Sequence, residues 1–200
     1  MKIPQEQLIE DLKKDVEIMI ECVSFFRAEK DALLMPPMPG KWSVAQVLEH
    51  LNSYGRFYLP AIDRALSVSS SQREAWFNSG PLGNYFTNMM KPKDVFEIKN
   101  KMKAPKDHSP DATLNAEEVM DEFIQQQQKL LQLLEAGKNK SLSAIRVPIS
   151  ITKLVKLKLG DTFRFLIAHE QRHLIQARNA FKTIGLPTDK FPAILQAAKQ

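Results

Sequence analysis

A single cysteine, Cys22, stands among the 200 residues, with only four histidines and two tryptophans. No uninterrupted apolar run reaches the roughly 18–20 residues that a membrane span needs. Each shortage excludes something. One cysteine forbids an intrachain disulfide and points to a reducing compartment. Its setting, Ile18-Met19-Ile20-Glu21-Cys22-Val23, is a core position of a helix, so it reads as a buried small hydrophobe rather than a nucleophile. From Met1 to Leu12 charged and apolar residues alternate, with neither the cationic opening nor the apolar stretch of a signal peptide, and a cytoplasmic location is expected.

What is present describes a globular chain. At 44% hydrophobic and 26% charged, one domain over residues 1–200 is expected, long enough to bury roughly 70% of the surface its unfolded chain would expose. The net charge of +5 owes much to six lysines between Lys91 and Lys106. These read as a solvated loop. Nucleic-acid binding asks for a basic face interleaved with aromatics or a recognition-helix pattern, and neither is evident, so no nucleic-acid and no membrane partner is expected.

Hydrophobic periodicity predicts four long helices. From Gln5 to Leu34, Leu8, Ile9, Leu12, Val16, Met19, Ile20, Val23 and Phe26 recur at helical spacing. Pro36, Pro37, Pro39 and Gly40 end this helix. The next begins near Ser43, which with Gln46 three positions on forms a capping box, and it carries Val44, Val47, Leu48, Leu51, Tyr54, Tyr58, Ile62 and Leu66 on one side. Pro60 should bend it. The pattern decays from Ser67 to Thr113, where at most one short helix, around Arg73 to Phe77, is expected. A connection this long often shapes or covers a site. The third helix starts at Asn115, with Glu118 as reciprocal capping partner, and runs to Gly137; the fourth, capped by Asp161, ends at Gly185. The fold expected is all-α, a four-helix bundle with long connections between helices two and three and between three and four. The β-branched segment Val147 to Val155 is the main argument against it.

Chemistry concentrates in the last helix, at His169-Glu170-Gln171-Arg172-His173. Residues at i and i+4 stand one above the other, so both rings can turn toward one ion. His50 flanks the apolar stripe of the second helix, as His169 and His173 flank that of the fourth, so all three sit at the margin of the core. The ordinary reading is three unrelated histidines with satisfied hydrogen bonds. Glu170 projects into the middle of the apolar stripe, where an ionised carboxylate is costly unless compensated. A metal ion would compensate it, and so would Arg172, Arg178 or a tyrosine hydroxyl.

Three metal-site patterns compete. His-Glu-x-x-His is the zinc peptidase signature, with the glutamate as general base and a third ligand downstream. No glutamate follows Glu170, Gln176 and Asn179 stand where the extended form has glycine and histidine, and only Asp189 could serve. A di-iron carboxylate bundle needs two Glu-x-x-His pairs. Glu170 and His173 give one, but Val47 stands three residues before His50. The third pattern, one divalent ion on three neutral imidazoles with an open position, has all its ligands.

Trp42-Ser43-Val44-Ala45-Gln46-Val47-Leu48-Glu49-His50-Leu51 and Phe163 through Ala177 resemble the two signature helices of the DinB-like superfamily of helical bundles, which includes bacterial metal-dependent hydrolases and low-molecular-weight-thiol S-transferases. The resemblance covers about residues 10 to 185. It implies that His50, His169 and His173 bind one divalent metal, nickel or zinc, between helices two and four, with Gln176 behind His173. It further implies a bacterial protein acting on a small-molecule substrate. Two routes stay open: hydrolysis with Glu170 as proton acceptor, or transfer from a low-molecular-weight thiol used as cofactor, since Cys22 looks buried. A non-catalytic metal-binding or helical interaction protein is the contrasting expectation, and a homodimer is compatible with either.

Overall fold

The computed structural model describes residues 1–94, 96–98 and 102–194. Lys99 and Lys101 of the lysine-rich segment lie outside the described residues. Among the described residues the protein is mostly helical, with four long α-helices, one short α-helix and two small antiparallel sheets: β1 (Lys2–Pro4), α1 (Gln5–Phe26), α2 (Val44–Ser67), β2 (Trp76–Asn78), α3 (Pro81–Met90), α4 (Ala116–Gly137), β3 (Arg146–Ile149), β4 (Thr152–Lys158) and α5 (Leu159–Thr183). Both α1 and α2 pack against α4 and α5, and the core lies where their apolar stripes meet. From α1, Leu8, Ile9, Leu12, Val16, Met19, Val23 and Phe26 are buried, and Cys22 among them is fully enclosed.

The helix expected to reach Leu34 is α-helical only to Phe26 and then tightens into a 3-10 run, Arg27–Leu34, with a non-helical backbone at Glu29. The stripe explains the change: after Phe26 the next buried residue is Leu33, so nothing rewards another two turns of α-helix. Arg27 and Lys30 reach instead for Asp121 and Glu117 of α4. At the start of α2 the capping box is present, with the Gln46 amide donating to Ser43 Oγ (3.2 Å) and the Ser43 amide donating to Gln46 Oε1 (3.0 Å). The helix continues through Pro60, whose face is solvent-exposed. Asn115 caps α4 by accepting from the amides of Glu117 and Glu118, while the Glu118 carboxylate meets the Asn115 side-chain amide rather than its backbone.

Three expectations need correction. The segment around Arg73 to Phe77 holds no helix: Trp76–Asn78 pairs with Lys2–Pro4, Ile3 opposite Phe77, and buries the Phe77 ring. The short helix comes later, at α3, with Pro81 in its first turn. Residues 146–158, where β-branching argued against an all-helical chain, form the β3–β4 hairpin, irregular at Pro148 and Ile149.

The third correction concerns Asp161, which lies inside α5 instead of capping it. The first amides of α5 find backbone partners, Leu159 donating to the Ile145 carbonyl (2.9 Å) and Gly160 to that of Leu142 (3.2 Å), so no side-chain cap is required. The freed carboxylate accepts from the Ser79 hydroxyl (2.6 Å), the Gly80 amide (2.8 Å) and Arg164 Nη1 (3.3 Å), and so pins the start of α3 to α5. Gly83 permits the approach, because a Cβ there would stand 2.3 Å from Asp161 Cγ.

Candidate metal centre

The lateral contact of α2 with α5 sets the site. His50 lies two turns into α2, on the margin of the stripe formed by Val47, Leu51 and Tyr54; His169 and His173 lie one turn apart on α5. Packing brings residues more than a hundred positions apart together. The ring centroids are 5.2 Å apart for His50 and His169, 4.6 Å for His50 and His173, and 4.6 Å for His169 and His173. One ring nitrogen from each lies within 4.8 Å of the other two. His50 and His169 are 2% and 3% exposed; His173 is half-buried and forms the open side.

The ring nitrogens are not equivalent. His50 Nδ1 is 2.7 Å from the backbone carbonyl of His108, which can only accept, so Nδ1 carries the proton and Nε2 is bare. His173 Nδ1 is 2.9 Å from Gln176 Oε1, which leaves its Nε2 bare in the same way. His50 Nε2 then lies 3.3 Å from His169 Nε2, while His169 Nδ1 has no hydrogen-bond partner. Metal–nitrogen bonds of about 2.0–2.1 Å at tetrahedral angles place neighbouring ligand nitrogens roughly 3.3–3.4 Å apart.

Electrostatics point the same way. Burial holds the His50 imidazole down at about 4 and that of His173 at about 3. That of His169 is also depressed, by burial first and then by its neighbours His173 and His50. At neutral pH the cluster is therefore uncharged, the state in which imidazole binds metal. Aromatic rings wall it: Trp42 lies 5.1 Å from His50, and Tyr54 and Phe165 lie 4.4 Å and 6.0 Å from His169. Three neutral nitrogens from rigid helices, two of them oriented by a partner on Nδ1, could hold a borderline-soft divalent ion.

Glu170 turns toward α4. It is 2% exposed, and its Oε1 accepts from Gln127 Nε2 at 3.1 Å, a partner that sequence reasoning did not name. Its Oε2 has no hydrogen-bond partner, and burial pushes its carboxyl up to about 8 against the opposing effect of the Gln127 bond. Asp189, the remaining candidate for a peptidase ligand, is exposed and outside the cluster. Gln176, expected behind His173, is there. His108 was overlooked because its contribution to His50 is a backbone carbonyl, which carries no side-chain signature.

With this geometry established, the sequence model of the DinB superfamily is found to fit residues 25–177, from the end of α1 to the turn of α5 beyond His173. No curated protein and no solved structure matches the chain. Among the described residues no helix is long and apolar enough to cross a membrane.

Proposed function

The chain belongs to the DinB superfamily, and from that premise we propose that it is a divalent-metal-dependent enzyme built on a four-helix bundle, with His50, His169 and His173 as the ligands of one nickel or zinc ion. The observation that carries this reading is the 3.3 Å approach of His50 Nε2 to His169 Nε2 with the Nδ1 of His50 already committed to a carbonyl. A neutral His169 carries its one ring proton on Nε2, where it donates to the bare His50 Nε2, or on Nδ1, which has no partner; in the second form two lone pairs face each other at a separation that a cation would fit.

When bound, such an ion supplies Lewis acidity, lowering the pKa of a coordinated water to about 7 or holding a thiol as thiolate. The residues supply the rest. The His108 carbonyl and Gln176 aim the rings of His50 and His173; Trp42, Tyr54 and Phe165 keep bulk water from the buried side. Glu170, held through Oε1 by Gln127 on the α4 side and with its carboxyl pushed up to about 8, would serve as the proton acceptor of the hydrolytic route only once it has lost its own proton. In the transfer route the thiol comes from a low-molecular-weight cofactor, because Cys22 is fully enclosed and burial raises its thiol far above the reactive range. A small-molecule substrate would enter on the His173 side.

The near-complete burial of His50 and His169 favours a second reading, a metal-binding protein without turnover. Metal analysis of untagged protein tests the shared premise: close to one equivalent is expected, falling to trace level in His50→Ala, and trace metal in both would falsify it. Turnover of esters, amides or thiol acceptors, with and without bacillithiol, mycothiol or glutathione, then separates enzyme from binding protein.

A further inference from the structure

The fourth histidine, His108, lies in the long connection between α2 and α4, on a 3-10 turn over residues 106–108, and is 8% exposed. Three contacts dock it on α2. Its ring stacks on Tyr54 at 3.9 Å between centroids and 28° between planes. Its Nδ1 is 2.9 Å from Ser53 Oγ, and its own carbonyl accepts from His50 Nδ1 at 2.7 Å. Ser53 Oγ is also 2.7 Å from the His50 carbonyl, which must accept. The hydroxyl has one hydrogen, so the directions are fixed: Ser53 donates to the His50 carbonyl and accepts from His108 Nδ1–H.

The result is a closed circuit. The His50 ring donates to the backbone of residue 108, and the His108 ring donates through Ser53 to the backbone of residue 50. We propose that residues 105–109 form a positioning clasp, in which His108 and Ser53 lock the His50 ring in the Nδ1–H tautomer with Nε2 turned toward His169 and His173. The inference rests on the metal reading above for its consequence, but its geometry stands without an ion. His108 and Ser53 are positioning residues, since neither is among the three rings whose nitrogens converge. A clasp drawn from a loop distant in sequence makes the ligand's orientation depend on the docking of that loop, and by linkage an ion on His50 must in turn hold the loop down.

The test uses zinc and nickel alone, each in competition with a chromogenic chelator, and nitrogen-15 NMR of the imidazoles in metal-free protein. Ser53→Ala and His108→Ala are expected to weaken metal binding by about 10–100-fold, as loss of a group orienting a ligand does. Ser53→Thr, which keeps the hydroxyl, is expected within about threefold of the parent. Metal-free His50 is expected as the Nδ1–H tautomer in the parent and as a mixture in Ser53→Ala. Should His108→Ala fail to fold, Ser53→Ala decides alone. Binding by Ser53→Ala within twofold of the parent, or a parent His50 protonated on Nε2, overturns the clasp. A parent that keeps the Nδ1–H tautomer yet binds neither ion overturns the metal reading and leaves the clasp standing.

Discussion

At the first turn of α5 the carboxylate of Asp161 is fully engaged: Ser79, Gly80 and Arg164 all donate to it, and it is 1% exposed. Two turns further along the same helix the histidine cluster, with His50 and His169 as deeply buried and His173 half-buried, closes in the opposite way. The Nδ1 atoms of His50 and His173 are engaged, the Nε2 atoms of His50 and His169 lie 3.3 Å apart, and His169 Nδ1 has no hydrogen-bond partner. A buried polar cluster whose donors and acceptors cancel internally is explained by folding. One whose ring nitrogens converge beside an unpartnered Nδ1 closes internally only through the single His169–His50 contact, and leaves room for something from outside the chain. The first is a rivet between α3 and α5; the second is a socket.

The largest effect should come from breaking the rivet. Asp161→Ala leaves Arg164, 6% exposed, as an uncompensated buried cation and frees the start of α3. Removing one partner of a buried pair costs about 3–5 kcal/mol. Chemical denaturation should show a loss of this size, while metal affinity per folded molecule changes little. Metal loss with stability intact would mean that the two clusters have been assigned the wrong way round.

A smaller and pH-dependent effect belongs to Asp15, on the face of α1 that meets α5. Its carboxyl is 5% exposed, Oδ1 has no hydrogen-bond partner, and burial pushes it up to about 7, opposed by a hydrogen bond from Gln171. A folded-state value raised above the unfolded one means that the native state holds the proton more tightly. Its contribution is fully present below about 4 and is lost as pH rises through about 7. Asp15→Asn should therefore stabilise the protein at pH 8, by up to about 4 kcal/mol for a shift of this size, with the advantage shrinking toward pH 4. An advantage independent of pH between 4 and 8 would remove Asp15 from the titrating groups.

The socket should behave oppositely to the rivet. His169→Leu removes an imidazole with an unpartnered buried nitrogen and replaces it with an apolar side chain, so metal-free protein is expected to melt unchanged or roughly 2–4 °C higher, a gain of about 1 kcal/mol for a chain of this size. Metal binding should vanish. Such an exchange of stability for function marks sites held under strain. A destabilised metal-free variant would show that the 3.3 Å contact of His169 Nε2 with His50 Nε2 is a structural hydrogen bond.

The same contrast explains what could be read from the residues alone. The long helices declared themselves through stripes such as Leu8 to Phe26 and through local caps such as Ser43 and Asn115, where each signal lies within a few residues of what it specifies. The histidines were legible because spacing of four on one helix, with His50 flanking another stripe, fixes faces before packing is known. Partners distant in sequence were not legible. Trp76–Asn78 is a strand because residues 2–4 pair with it, and α3 starts where it does because Asp161, about eighty positions on, accepts from the amide of Gly80 just before it. Asp161 has the local appearance of a helix cap, and only the Ile145 and Leu142 carbonyls reveal that the cap is not needed.

The smallest predicted effect joins the cap to the socket. Ser43→Ala removes the acceptor for the Gln46 amide at a residue 2% exposed, where water cannot readily replace it, and caps of this kind are typically worth about 1 kcal/mol. Trp42, the preceding residue, packs 5.1 Å from His50, so fraying of the first turn of α2 loosens one wall of the cluster as well. Thermal unfolding should fall by roughly 2–4 °C, with metal affinity weakened less than in the Ser53 and His108 variants, because the wall bounds the His50 ring without fixing its tautomer. Equal losses of affinity from Ser43→Ala and Ser53→Ala would mean that general packing, rather than the hydrogen bond on Nδ1, orients the ring.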